Sequence, residues 1–211
     1  MAVWVMSLAG SASASDRWVS DDGVIAVSIP SSIEWTVIEP APVPMLKAWA
    51  SPDDRLRLAV TRSPFPSNVQ LVSKSIQEGF AKEIGGKITD ASERELNGHR
   101  VYTMESERTL DGQTSVIRQA VIQHGDYAYK VMAISGAKSD EVDVAESFLS
   151  SLEILKAPDA GTAPKGPGNG GDFHELSKRL GGGGVLALIA LLIVRRVLRA
   201  RRAPEAPVRS E

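Results

Sequence analysis

The 211-residue sequence contains no cysteine and little that could support catalysis. Without cysteine the protein forms no disulfide bond, has no thiol nucleophile and carries no lipid on an N-terminal cysteine. The only histidines are His99, His124 and His174, and their spacing matches no metal-binding motif. The sequence also lacks a Gly-x-Ser-x-Gly elbow, and Gly85-Gly86-Lys87 lacks the spacing of a phosphate-binding loop. We therefore expect no enzymatic activity, no metal and no cofactor.

The remaining titratable residues have simpler explanations than catalysis. His99 and His124 both fall at expected hairpin turns, where we predict exposed side chains. Glu93-Arg94-Glu95 and Glu105-Ser106-Glu107-Arg108 place carboxylates on neighbouring strands, and paired carboxylates can act as acid and base. Alternating charges are, however, typical of the solvent-facing side of an antiparallel sheet. We predict no catalytic, cofactor-binding or metal-binding residue, and the ligand-binding residues stay unknown.

Near its end the chain has one uncharged, mostly apolar run, Leu180 to Val194, followed by a cluster of arginines. As a helix, 15 residues span about 22 Å, which is less than the roughly 30 Å of a bilayer core. The helix reaches full length by extending to Leu198, with the arginine heads at the phosphates. The stretch from Val185 to Val194 has no polar face, which disfavours a surface helix. We predict a transmembrane helix at 178–198 that contacts the lipid bilayer through Leu180 to Leu198.

The two ends of the chain predict a topology. Arginines are more frequent after the apolar run than before it, so the tail at 199–211 is expected in the cytoplasm. Residues 1–14 are typical of a signal peptide, with Ala12-Ser13-Ala14 as the cleavage site, although a basic segment is missing before its apolar run. The sequence thus predicts a single-pass type I protein of a bacterial inner membrane, with an extracytoplasmic domain and a cytoplasmic C-terminus.

The segment at 157–177 is rich in glycine and proline and cannot bury a core, so we interpret it as a linker and juxtamembrane segment. Beyond it, Gly181 to Gly184, the apolar helix and the arginine cluster resemble glycine-glycine C-terminal sorting signals, which are cut by rhomboid-type intramembrane proteases. A plain anchor with a glycine hinge is the alternative. Whether the anchor is retained or cleaved stays open.

The domain at 15–156 is acidic. It holds 15 Lys and Arg against 21 Asp and Glu, a net charge of −6, whereas residues 195–211 hold 6 Arg and 2 Glu, a net charge of +4. An acidic domain disfavours nucleic acid as a partner. Membrane topology and anionic lipid account for the basic tail.

Alternation and turn signals divide the domain into strands and two helices, which indicates an α+β fold with helices packed on an antiparallel sheet. Apolar residues at helical spacing predict a first helix from Val69 to Ile84, and Ser139 is expected to cap a second helix that ends at Leu149. Strands are predicted at Val24–Ile29, Trp35–Ile38, Met45–Ser51, Leu56–Thr61, Lys87–Leu96, Arg100–Leu110, Ser115–Gln123, Tyr127–Ile134 and Leu152–Leu155.

Several short motifs resemble the PsbP-like α/β/α sandwich family, most of all its bacterial DcrB-type members. They are Val24-x-Ala26-x-Ser28-x-Pro30 followed by Trp35, the long helix from Val69, Leu96-Asn97-Gly98-His99-Arg100-Val101-Tyr102, Gly125-Asp126-Tyr127-Ala128-Tyr129 and the closing Phe148-Leu149-Ser150-Ser151-Leu152. The resemblance covers about Arg17 to Lys156 and implies a binding or assembly-accessory role, often in an extracytoplasmic compartment. It implies no catalytic residue.

These observations give one leading hypothesis and two alternatives. We expect a membrane-tethered extracytoplasmic domain that binds an envelope protein without catalysis. A carrier of a small apolar ligand between sheet and helix would need a pocket lined by Trp and Met, and Trp18, Trp35 and Trp49 are its candidates, although core or rim positions explain them as well. A surface-sorted protein with a cleaved anchor is the other alternative.

Overall fold

The computed structural model describes residues 16–158, apart from 40, 42–43, 68–70, 72, 85–86 and 111–112. In chain order its strands are β1 (Asp16–Val19), β2 (Ile25–Ile29), β3 (Thr36–Val37), β4 (Met45–Ala50), β5 (Arg57–Pro64), β6 (Lys87–Leu96), β7 (His99–Leu110), β8 (Gln113–His124), β9 (Tyr127–Gly136) and β10 (Glu153–Ile154). The helices of this part are α1 (Ser73–Ile84) and α2 (Ser139–Ser150). Neither is long and apolar enough to cross a membrane. The predicted signal peptide, transmembrane helix, tail and most of the linker lie outside the described residues.

The strands form two antiparallel sheets, whereas the sequence predicted one. The large sheet has the order β3-β4-β5-β9-β8-β7-β6, and the small sheet has the order β1-β2-β10. The strand predicted at Val24–Ile29 therefore lies outside the large sheet, because β2 pairs with β1 on one side and β10 on the other. The α+β class is confirmed, and so are helices packed on antiparallel strands.

Tight turns set the register of the strands from β6 to β9, as the sequence predicted. Asn97 and Gly98 connect β6 to β7 with φ angles of +49° and +77°, which glycine and asparagine adopt readily. Between β7 and β8, Leu110 pairs with Gln113, and the residues at 111–112 between them lie outside the described part of the chain. Gly125, with φ +53°, opens the turn into β9.

The large sheet is covered on both faces. Helix α1 packs on one face, where Ile76 and Phe80 are fully buried in a cluster with Met132 of β9. The small sheet and α2 pack on the other face, where Phe148 contributes to a second cluster with Trp49 of β4. Eight consecutive residues of β9 are buried, as expected for a central strand that is covered on both sides.

Both helices differ in detail from their predictions. The first begins at Ser73 rather than near Val69, which lies outside the described residues. The second is preceded by Lys138, whose extended backbone makes it the N-cap residue, so Ser139 is the first helical residue and not the cap. Ala145 and Phe148 form the buried face of α2 together with Glu141. The apolar Val142 and Leu149 are only partly buried, because they lie beside this face of the helix.

Candidate functional site

A groove of about 490 Å³ opens at one end of the large sheet, which we call the groove end. Three segments meet there: the loop after β2, the turn between β4 and β5, and the first turns of α2. Apolar residues and both signs of charge line it: Ser32, Ile33, Ser51, Pro52, Asp53, Arg55, Leu56, Lys138, Asp140, Glu141 and Val144. Because these segments are far apart in sequence, the sequence pattern gave no signal of the groove.

The turn between β4 and β5 forms one wall of the groove and lies between the strands predicted at Met45–Ser51 and Leu56–Thr61. The buried Ser51 hydroxyl donates to Asp53 Oδ1 at 2.6 Å and accepts from the backbone N–H of Leu56 at 3.0 Å. The hydrogen bond from Ser51 has the largest effect and lowers the pKa of Asp53. Burial opposes it with a smaller effect, and the backbone N–H and the charge of Arg55 lower the pKa further. Asp54 adopts a left-handed conformation with φ +68°. The turn thus holds an ionised carboxylate at the mouth of the groove.

The first turn of α2 forms the opposite wall. Glu141 is 8% exposed, and its carboxylate lies against Gly136 at the end of β9. Arg55 Nη1 lies 3.7 Å from Glu141 Oε1 and so connects the two walls. A carboxylate in the first turn is also stabilised by the helix dipole. The exposed Lys138 and Asp140 complete a rim that presents charges of both signs.

The described residues end with Pro158 at the opposite end of the strands, which we call the exit end. Asn97 Nδ2 donates to the carbonyl oxygen of Ile154 at 2.8 Å, and Lys156 Nζ donates to that of Asp22 at 2.6 Å. A Cβ on Gly98 would lie 3.2 Å from Pro158 Cδ, so the turn and the departing chain are closely packed. Residues 153–158 are therefore fixed to the domain up to the start of the predicted linker.

Two predicted turn histidines lie at the exit end, but only one is partly exposed. His99 is 5% exposed, so the prediction of an exposed side chain is wrong for this residue. Its Nδ1 lies 2.9 Å from the carbonyl oxygen of Gln123, and its Nε2 lies 3.0 Å from that of Lys156. The ring of the half-buried His124 lies 5.2 Å from that of His99. His174 lies outside the described residues.

The three described tryptophans belong to the packing between the layers and not to the groove. Trp49 is buried and contacts Trp18 edge-on, with ring centroids 6.0 Å apart, and also Phe148, at 6.1 Å. Trp35 is partly buried against the same cluster and donates from Nε1 to the carbonyl oxygen of Pro30 at 2.7 Å. These are the core and rim positions that the sequence suggested.

The carboxylates of β6 and β7 lie on neighbouring strands, as predicted, and Glu93 and Glu105 take part in ion pairs. Glu93 Oε1 lies 3.7 Å from Arg100 Nε, and Glu105 Oε2 lies 2.5 Å from Nη2 of Arg118 on β8. Glu105 also accepts from the hydroxyl of Thr89 at 2.9 Å. The Glu93–Arg100 pair is exposed, as on a charged sheet surface, whereas the Arg118 side chain is only 11% exposed and also lies 3.7 Å from Glu146 of α2.

Comparison with known proteins identifies a fold and no closer relationship. No protein-family model matches the chain, and no curated protein matches it. The solution structure of CyanoP, the cyanobacterial PsbP of Synechocystis sp. PCC 6803, matches with a TM-score of 0.52 at 14% identity, over 69% of this chain and 95% of that one. The crystal structure of LpqN, involved in cell envelope biogenesis of Mycobacterium tuberculosis, matches with a TM-score of 0.50 at 14% identity, over 69% of this chain and 88% of that one. The described domain therefore has a PsbP-like fold.

Proposed function

We propose that this protein is a non-catalytic, extracytoplasmic binding or assembly-accessory domain, tethered to a bacterial inner membrane, and that the groove contacts an envelope protein. The observation that carries the proposal is the placement of the groove and the chain exit at opposite ends of the strands. An anchor attached through the linker at the exit end leaves the groove end free to contact a partner.

The fold and the chemistry of the groove support this role. LpqN, a structure with the same fold, is described as involved in cell envelope biogenesis. In the groove, Ser51 donates a hydrogen bond to the carboxylate of Asp53, and Arg55 forms an ion pair with the carboxylate of Glu141. Carboxylates that are held in place are expected of a surface that recognises a partner. Membership of the DcrB-type group is the finer proposal that follows from the sequence motifs.

The alternative of an apolar-ligand carrier has less support. Such a carrier needs a pocket lined by Trp and Met. The described groove is lined by neither, and Met45, Met104 and Met132 are packed in the core beneath α1. A charged rim with a small apolar floor fits a protein partner better.

Protease accessibility tests the topology. Intact spheroplasts are treated with protease and both termini are followed by mass spectrometry, with lysed cells as the control. We expect cleavage of the domain from outside and protection of 199–211. A domain protected in intact spheroplasts contradicts the proposal, and loss of the chain after Gly184 indicates a cleaved sorting signal.

Site-specific crosslinking tests the groove. A photoreactive amino acid replaces the exposed Lys138 at the groove or, as a matched control, the exposed Arg94 on β6. We expect an adduct of one defined mass from position 138 and none from position 94. The adduct should disappear when Arg55→Glu reverses a charge on the facing wall. Equal adducts from both positions would contradict recognition through the groove.

A further inference from the structure

Glu141 is a nearly buried carboxylate that accepts no hydrogen bond within the described part of the chain. It is 8% exposed, and it lines the groove. Arg55 Nη1 offsets its charge but lies 3.7 Å from Oε1, which is beyond the distance of a hydrogen bond. Because a buried acceptor without a donor costs free energy, a ligand that donates an N–H to Glu141 would bind favourably here.

The guanidinium of Arg55 is a donor beside this acceptor. Its Nε lies 3.5 Å from Asp53 Oδ2, so its second ion pair is also a loose one. The Arg55 side chain is 55% exposed, which leaves its N–H groups accessible to a ligand. The groove therefore presents a donor on one wall and an acceptor on the other, 3.7 Å apart. A matching ligand has to donate an N–H to Glu141 and offer an oxygen to Arg55.

The main chain of an extended peptide carries this combination of groups. In an antiparallel pair of strands, one residue directs both its own N–H and its own C=O to the same partner residue. A partner's ammonium group would satisfy Glu141 but be repelled by Arg55, and a carboxylate would do the reverse. Because a peptide unit has no net charge, it is compatible with both walls.

The floor of the groove is aliphatic. Leu56 is 3% exposed, and the half-buried Ile33 and Val144 also line the groove. Burial of an aliphatic side chain against these residues would add to the affinity, because apolar surface is removed from water. The volume of about 490 Å³ is within the range of roughly 300–1,000 Å³ that ligand sites occupy.

We propose that the groove binds an extended, uncharged segment of its protein partner through the main chain. One residue of the segment donates its N–H to Glu141 Oε1 and accepts at its carbonyl oxygen from Arg55 Nη1, while an aliphatic side chain packs on the floor. Main-chain hydrogen bonds then supply affinity and the floor supplies selectivity. This inference rests on the proposed function, since it specifies the chemistry of the segment that the groove contacts.

Two capped tripeptides test the main-chain contact. The first probe is trifluoroacetyl-Ala-Leu-Ala-amide, added to the full-length chain in lipid nanodiscs, with empty nanodiscs as the background. Broadening of its fluorine resonance measures the dissociation constant. The second probe has an ester in place of the leucine amide, which removes the N–H and keeps the extended shape. We expect the ester to bind at least about tenfold more weakly, because the lost hydrogen bond has a charged acceptor.

Glu141→Leu completes a double-mutant cycle with the two probes. It removes the acceptor, so the amide and the ester should bind this variant equally. Asp143→Leu, at an exposed position of α2 outside the groove lining, is the matched control and should keep the difference between the probes. If Glu141→Leu does not fold, the exposed Arg55→Leu replaces it and should weaken both probes, since it removes the donor to the carbonyl oxygen.

Equal binding of the amide and the ester to the wild type would overturn this inference, and so would the absence of saturable binding. A difference between the probes that persists in Glu141→Leu would overturn it as well. These results leave the proposed function standing when position 138 still gives its crosslink, because the partner then contacts the groove by another chemistry. Loss of that crosslink would instead count against the proposed function itself.

Discussion

The hydroxyl of Tyr129 on β9 donates a hydrogen bond of 2.5 Å to Asp22 Oδ2 in the turn between β1 and β2. Arg62 Nη1 on β5 donates to the same oxygen at 2.7 Å, and Ser20 donates to Oδ1 at 2.7 Å. Because Asp22 belongs to the small sheet and Tyr129 and Arg62 to the large one, this carboxylate connects the two layers at the exit end.

Removing the Tyr129 hydroxyl should weaken that connection. Tyr129 is 1% exposed, and burial together with its bond to Asp22 raises the pKa of its hydroxyl, which stays protonated as a donor. We expect Tyr129→Phe to lower the free energy of unfolding by about 1–2 kcal/mol, measured by urea denaturation. The control is Tyr127→Phe, because Tyr127 is 41% exposed. Equal stability of Tyr129→Phe and wild type would show that the bond contributes nothing net.

Asp22 should make stability depend on pH in the acid range. Burial favours a higher pKa for Asp22, but the hydrogen bonds from Tyr129, Ser20, Arg62 and the backbone N–H of Val24 outweigh it, so the pKa lies well below its usual range. A carboxylate whose pKa is lower in the folded than in the unfolded state stabilises the protein at pH values above its unfolded pKa, which is about 3.9 for aspartate. This contribution is lost as the pH falls through the folded pKa.

We therefore expect Asp22→Asn to be less stable than wild type near neutral pH, with a difference that shrinks below about pH 4. Urea unfolding at several pH values measures it. Asp21→Asn, in the exposed neighbouring position, is the matched control. A difference between Asp22→Asn and wild type that stays constant down to the lowest pH at which the protein folds would contradict the assignment.

A side chain at Gly136 should displace the carboxylate of Glu141. A Cβ at this position would lie 2.1 Å from Glu141 Oε2 and 3.2 Å from its Cδ. We expect Gly136→Ala to cost about 1–3 kcal/mol, because the buried carboxylate has to move. The double variant with Glu141→Ala should lose less than the sum of the single variants, since no carboxylate is left to displace. Strict additivity in thermal or urea unfolding would argue against the clash.

Most of the fold prediction rested on local sequence features such as turn residues and apolar spacing. The turn at Asn97-Gly98 has the positive φ angles that this pair of residues favours, and so it fixed the hairpin. The small sheet was missed because Asp16–Val19 shows no apolar alternation, and this strand forms only by pairing with β2. The start of α1 was placed too early because apolar spacing continues before Ser73, where Leu71 is buried without being helical.

The candidate sites depend on contacts between distant segments, which periodicity does not report. Arg55 and Glu141 face each other across the groove although 86 positions separate them in the sequence. His99 was expected at the surface because it follows a turn, but the departing chain at Lys156 covers it. In both cases tertiary packing decides the environment of a polar side chain.

Arg57 is a buried charged residue whose burial the sequence did not predict. It is 0% exposed, and its Nη2 lies 2.8 Å from Asp54 Oδ2 in the turn that borders the groove. Asp54→Asn keeps the shape of the side chain, and asparagine tolerates the φ angle of +68° at this position. The variant therefore removes the charge of the partner without straining the turn.

We expect Asp54→Asn to lower the free energy of unfolding by about 3 kcal/mol, because it leaves a buried guanidinium with less compensation. Asp53→Asn, at the exposed neighbouring position, is the control and should cost less than about 1 kcal/mol. Replacing both partners, as Asp54→Asn with Arg57→Leu, should recover most of the loss, since a buried pair is often no more stable than an apolar one. If the double variant is less stable than Asp54→Asn alone, Arg57 stabilises the fold through its other contacts rather than through the charge of Asp54.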